Sequence, residues 1–188
     1  MSQDPKRLEE QVKAAAVEAG DLPPIEKWHP DLSGDINIRI ARDGAWYHEG
    51  EPIQREAIVR LFSTILRREE DGHYYLVTPV EKWRIQVEDT PLLAHTLEKE
   101  GEGERQTLAV TTNVGEKLLL GVEHPLEVGQ YEDGSPRPLV RVRRGLEARL
   151  VTAAYYELAD LLVENEAAGG SPSLGVWSGG EYFPVGNG

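Results

Sequence analysis

The residues in this sequence best equipped for chemistry are its arginines and aromatics. Arg137, Arg141, Arg143, Arg144 and Arg149 stand close together in an otherwise acidic chain. Alternation through residues 139–143 places Arg141 and Arg143 on one strand face. From there their guanidinium forks can meet a phosphate or a carboxylate through paired hydrogen bonds. Arg39, Arg55, Lys82 and Arg84 form a thinner version of the same pattern earlier in the chain, and Trp46, Tyr47, Tyr155, Tyr156 and Trp177 lie near these cations in sequence. Cations beside flat rings suit a ligand that carries a phosphate and a planar base. The plainer reading is that the arginines pair with the abundant Glu and Asp at the surface while the aromatics fill the core.

Other chemistries find less support. His29, His48, His73, His95 and His124 show no helix-face spacing, so a metal site would need the fold to gather them with carboxylates. Glu49, Glu81, Glu88 and Asp89 flank strand ends and could act as acids or bases, but nothing in the spacing pairs them. The chain has no GxGxxG after a strand, no GxxxxGK[ST], no HExxH and no GxSxG. With no cysteine, thiolate metal sites, disulfides and cysteine nucleophiles are excluded. The net charge of −13 over 188 residues opposes general binding to nucleic acid or to anionic membranes. No apolar run approaches the roughly 20 residues of a membrane span, and charged residues interrupt any secretory core near the N-terminus. A cytoplasmic location is expected.

The elements that must position these residues follow from periodicity. Residues 1–22 read as an N-terminal tail or helix, with Leu8, Val12, Ala15, Ala16 and Ala19 as a thin stripe that ends at Gly20 and Pro23-Pro24. Ile36, Ile38 and Ile40 alternate with Asn37 and Arg39, a half-buried strand, and Asp43-Gly44 turns it toward Trp46-Tyr47-His48. Ile58, Leu61, Phe62, Ile65 and Leu66 predict a helix from near Arg55 to Asp71-Gly72. Strands are expected at 74–77 and 83–87, with 92–100 open between helix and strand. Residues 98–104 read as a charged turn, 107–111 and 117–120 as strands, and 129–138 as a loop at the tip of a long hairpin. After the arginine strand at 139–143, a second helix is expected from Thr152 to Ala167, with Ala154, Leu158, Leu161 and Leu162 as its stripe and Gly169-Gly170-Ser171-Pro172 as its stop. A hairpin of 174–177 and 182–185 closes the chain. Segments 36–90 and 105–185 thus read as two α+β halves of similar plan, and most connections are too short for parallel crossovers.

The motifs also carry a resemblance. Pro24-Ile25-Glu26-Lys27-Trp28-His29-Pro30, Asp43-Gly44-Ala45-Trp46-Tyr47-His48-Glu49-Gly50 and Tyr75-Leu76-Val77-Thr78-Pro79-Val80-Glu81-Lys82 resemble a bacterial family catalogued as domain of unknown function 1285. So do Leu146-Glu147-Ala148-Arg149-Leu150, Tyr155-Tyr156-Glu157-Leu158 and Gly175-Val176-Trp177-Ser178, so that the likeness spans roughly residues 23–186. The resemblance implies two α+β halves with a duplicated motif, mostly antiparallel sheet with one helix each, the second half like a pleckstrin-homology barrel. It further implies a cleft between the halves for a nucleotide-like ligand, with a role in signal transduction.

Taken together, these readings predict a tail at 1–22, an α+β half at 23–91 and a β-rich half with one long helix at 92–188. The expected function is non-enzymatic binding or sensing of a small anionic, nucleotide-like ligand, with no cofactor and no metal. Arg39, Trp46, Arg55, Lys82, Arg141, Arg143, Arg149, Tyr156 and Trp177 are the candidate ligand-binding residues. A protein-interaction module and a hydrolase built on carboxylates and histidine remain the alternatives.

Overall fold

The computed structural model describes residues 4–19, 22–166 and 172–187. It divides into two units, Met1–Pro91 with Arg144–Leu146, and Leu92–Arg143 with Glu147–Gly188. Among the described residues no helix is long and apolar enough to cross a membrane.

The first unit opens with helix α1 (Pro5–Ala19), which buries Leu8 and Val12 in the core. The side chains of residues 15–19 and the predicted stop at Gly20 lie outside the described residues. Strands β1 (Leu32–Ile40), β2 (Trp46–His48) and β3 (Glu51–Pro52) follow as a meander. Ile36, Ile38 and Ile40 are buried as their alternation requires. Helix α2 (Glu56–Thr64) packs Phe62 against Trp46, with ring centroids 6.3 Å apart. Then come β4 (Leu66–Arg68), β5 (Tyr74–Val77) and β6 (Lys82–Val87), giving a six-stranded sheet of order β3-β2-β1-β6-β5-β4.

The predicted helix 55–71 is therefore too long. Near its end the Ser63 and Thr64 hydroxyls bond back to the carbonyls of Arg60 and Leu61. The Ile65 carbonyl accepts from the Val77 amide, and Leu66 registers with Leu76. The helical stripe thus passes into a strand, and Asp71-Gly72 becomes a hairpin turn.

The second unit repeats the sheet. Strands β7 (Leu92–Glu100), β8 (Thr107–Thr112) and β9 (Lys117–Leu119) form one meander, and β10 (Leu126–Gln130), β11 (Pro136–Arg141) and β12 (Glu147–Leu150) form the other, in the order β10-β11-β12-β7-β8-β9. Residues 92–100 are thus strand, and strands enter the predicted 129–138 loop from both sides, leaving only its tip. Helix α3 (Thr152–Ala159) and a three-stranded sheet of β13 (Val163–Glu166), β14 (Pro172–Ser178) and β15 (Glu181–Asn187) complete the unit. The predicted helix to Ala167 is corrected here. Val163–Glu166 pair antiparallel with β14, and this non-local ladder outweighs the local periodicity. Ala167 and the Gly169-Gly170-Ser171 stop lie outside the described residues.

The two halves correspond strand for strand over Leu32–Val87 and Leu92–Leu150. In each, the first strand runs parallel to the sixth, β1 with β6 and β7 with β12. The expectation that short connections forbid parallel pairs fails for a topological reason. The parallel partners are the first and last strands of a half, so no single loop has to cross over. The helices do not correspond. α2 sits between the third and fourth strands of its half, whereas α3 follows the sixth. Aligning the halves helix on helix, as 36–90 and 105–185, therefore misplaces the repeat.

Candidate functional site

In the first unit, the face of the sheet opposite the core carries a cross-strand row. The register sets Arg67 opposite Tyr75, Tyr75 opposite Arg84 and Arg84 opposite Asp35. These positions alternate with the buried Leu66, Leu76, Trp83 and Ile85, so all four project to the same side. Arg84 grips Asp35 through Nε at 2.6 Å and a second nitrogen at 3.0 Å. That contact holds the Asp35 carboxyl below its ordinary range and raises Arg84. Tyr75 donates a short hydrogen bond to Asp71. This bond, and then burial, push the Tyr75 hydroxyl up to about 12, while the same bond lowers Asp71. Lys82 lies over the Tyr75 ring at 4.8 Å and bonds Glu69 at 2.9 Å, and Arg67 bonds Glu69 at 2.6 Å. Burial alone would raise Glu69, but these two cations outweigh it and leave it lowered. A depression of about 510 Å³ borders the row, lined in part by Asp35, His73, Tyr74 and Arg84. The three cations of the network each hold a carboxylate, so the row carries no surplus charge for an anion.

This network is expected to make the first unit the more acid-sensitive of the two. Glu9, hydrogen-bonded by Lys13, joins Asp35, Glu69 and Asp71 as carboxyls held low, and all four belong to this unit. Groups depressed on folding stabilise fully above their unfolded pKa, and that contribution is lost as pH falls through the folded value. On titration from about pH 6 to 3, amide hydrogen exchange is expected to show the first unit losing protection before the second. Loss in the second unit first would contradict the assignment.

The second unit holds a slot of about 440 Å³. Val128, Gly129 and Gln130 of β10 form one wall, and Pro184, Val185 and Gly186 of β15 form another. Pro136, Tyr155 of α3 and Ser173 of β14 close it. Val128, Tyr155 and Val185 also pack on the core of the unit, so the slot is an opening onto that core. Ser173 is fixed by Tyr182, whose hydroxyl lies 3.2 Å from Ser173 Oγ and donates to the Ser173 carbonyl at 2.9 Å. The lining mixes the apolar side chains of Val128, Pro136, Tyr155 and Val185 with hydroxyl, amide and exposed backbone groups, and carries no charged side chain.

The nine candidate ligand-binding residues divide four and five between the units, and none lines the slot. Trp46 is 2% exposed inside the first core and cannot stack on a ligand, which corrects that expectation. Arg39 pairs with Glu88 at 2.5 Å and lies over Tyr47, and Lys82 is committed to Glu69. Arg55, at the start of α2, is exposed 3.8 Å from Glu9. In the second unit Arg143 bonds Glu116 at 2.5 Å, and Trp177 packs on Tyr182 at 5.3 Å between centroids. Arg149 is half-buried in the row Glu127, Leu139, Arg149, Leu93. That row takes the place held in the first half by Arg67, Tyr75, Arg84 and Asp35. Arg141 is exposed on β11, and its side chain makes no hydrogen bond or ion pair among the described residues. Strand alternation explains the miss, since the odd-numbered arginines of β11 project opposite to the buried Val140 while the slot opens at the edge of β10.

Tyr156 is displaced by its neighbour. It is 66% exposed, whereas Tyr155 lines the slot. The signal was available, because Tyr155 follows Ala154 and precedes Leu158 by one turn, on the flank of the buried stripe. As for the hydrolase alternative, Glu81 is taken up by Arg7 at 3.1 Å and Gln11 at 2.9 Å. Among the described residues no group of three or more His, Asp or Glu side chains gathers as metal ligands would.

Comparison with known proteins finds two family models. One, described as domain of unknown function (DUF1285), N-terminal domain, matches residues 23–90. The other, described as protein of unknown function (DUF1285), C-terminal domain, matches residues 91–185. The crystal structure of a DUF1285 family protein from Silicibacter pomeroyi DSS-3 is similar with a TM-score of 0.84 and 42% identity, over 96% of this chain and 94% of that one. A DUF1285 family protein from Shewanella baltica OS155 is similar with a TM-score of 0.52 and 30% identity, over 65% of this chain and 90% of that one. No curated protein matches the chain.

Proposed function

The chain belongs to the DUF1285 family, and from that premise we propose that it is a non-enzymatic, cytoplasmic protein that binds a small nucleotide-like ligand in the slot of its C-terminal unit. The observation that carries this reading is the slot itself, a concave opening of about 440 Å³ in which Val128, Pro136, Tyr155 and Val185 stand among exposed backbone and a few polar side chains. Its volume suits a planar base, with Tyr155 as an aromatic wall. The slot carries no charged side chain, so the anionic part of the ligand is placed at its mouth, toward solvent. Binding without chemistry is the property of a sensor, and a signalling role is part of the proposal.

A thermal-shift panel of nucleoside monophosphates, free bases and inorganic phosphate tests it. A ligand at 100-fold its Kd stabilises by about 2.7 kcal/mol, a shift of several degrees for a unit of this size. The proposal expects a monophosphate to exceed both its free base and inorganic phosphate. A panel in which no compound moves the melting temperature would overturn it.

A further inference from the structure

The slot presents backbone where most pockets present side chains. Side chains of consecutive strand residues alternate between the two sheet faces, so no face displays three in a row. Yet 128–130 of β10 and 184–186 of β15 all line it. β10 ends the six-stranded sheet and β15 ends the three-stranded one. The slot therefore runs along two sheet edges.

The hydrogen-bond parity of β10 follows from its partner. The Tyr131 amide donates to the Ser135 carbonyl, and the Arg141 amide donates to the Pro125 carbonyl. In an antiparallel ladder bonded pairs alternate with unbonded ones, which makes Glu127–Leu139 and Gly129–Arg137 the bonded pairs between these ends. Val128 and Gln130 face Pro138 and Pro136, which have no amide to donate, as unbonded positions permit. The amides and carbonyls of Val128 and Gln130 consequently point away from β11, toward the free edge. No other backbone bond takes them up among the described residues.

On such an edge the carbonyl of one residue and the amide of the residue two further on sit side by side. Gly129 stands between them, and a Cβ built there meets nothing within 4 Å. We propose that the Val128 carbonyl and the Gln130 amide read a planar heterocycle that carries a donor and an acceptor on adjacent ring-edge atoms, as a purine does. Tyr155, Pro136 and Val185 supply flat apolar walls on either side of the ring. This rests on the ligand-binding reading of the slot and adds the recognition chemistry. The ladder spares both groups for the ligand, so specificity comes from the backbone and needs no charged side chain.

The test compares guanosine monophosphate with its N1-methylated form by isothermal calorimetry on the full chain. Methylation at N1 of guanine removes the ring donor beside the carbonyl acceptor while leaving the base neutral and the phosphate in place. The expected result is at least a tenfold loss of affinity for the methylated form, the cost of leaving a site's polar groups unpaired. Equal affinities for a parent and its methylated form would overturn the backbone reading while leaving the slot as a ligand site. Failure of every monophosphate to bind would overturn both.

Two variants separate the backbone from the side chain. Gln130→Pro removes the proposed donor yet breaks no β10–β11 bond, and it should abolish the methyl discrimination. Gln130→Ala keeps the amide and should retain the discrimination. Loss with Gln130→Ala would assign the reading to the side chain and overturn the proposal. The methylation comparison on the unaltered protein decides the matter even where Gln130→Pro does not fold.

Discussion

Replacing Gly175 by alanine is expected to cost the C-terminal unit about 3 kcal/mol or more, a large penalty for one methyl group. A Cβ at this position would stand 2.3 Å from the Phe183 carbonyl oxygen and 2.6 Å from Tyr182 Cζ. The first obstacle is backbone of the paired strand and cannot swing aside. The second is a ring whose hydroxyl is tied to Ser173. The ladder between β14 and β15 already shifts register between Leu174 and Gly175, so the close approach is built into the bulge. Urea unfolding should show a lowered midpoint, with amide protection lost first at 173–178 and 182–186. The walls of the slot at Ser173 and 184–186 would move with it, and ligand-induced stabilisation should vanish in the same variant. An unchanged midpoint would contradict the close approach of β15 to β14.

Leu146→Ala is expected to destabilise by about 2–5 kcal/mol, and the loss should fall on the N-terminal unit. Leu146 follows the strand that carries Arg141, but it is fully buried in the first core beside residues such as Trp46, Phe62 and Ile85. The segment Arg144–Leu146 is held there firmly. Arg144 adopts φ +52°, a strained choice for a side-chain-bearing residue. Its guanidinium donates to the Thr64 carbonyl at 2.8 Å and the Pro23 carbonyl at 2.6 Å, and its own carbonyl accepts from the Arg68 amide. Gly145, at φ +76°, runs so close to Arg68 that a Cβ would stand 3.2 Å from that residue's own. Exchange protection at Ile36, Ile38, Trp83 and Ile85 should drop in the alanine variant, while Leu146→Met, which keeps the volume, should restore most of it. Protection lost instead at Leu108, Val110 and Ala148 would refute the assignment.

These two sites show what local pattern can and cannot carry. The isoleucines of β1 and the Asp43-Gly44 turn were legible because a two-residue period and a positive-φ turn are properties of neighbours. Leu66 and Val163–Glu166 were not, since helical periodicity runs through both and only distant strands, β5 and β14, decide for the sheet. The destination of Leu146 was invisible for a stronger reason, because its core is assembled from residues far earlier in the chain. The candidate site followed the same rule. Arginine and aromatic clustering pointed to residues that topology then divided between two units or tied to carboxylates. The slot owes its existence to two sheet edges, and spacing along the chain says nothing about which strands end a sheet. Only Tyr155, on the flank of the α3 stripe, left a readable trace.

An amide NMR titration of the full chain with guanosine monophosphate locates the binding site. Shifts should saturate at one equivalent of bound ligand and centre on Val128, Gly129, Gln130, Tyr155 and Ser173. Shifts centred on Asp35, His73 and Arg84, or none at ligand concentrations that saturate calorimetric binding, would contradict binding in the slot.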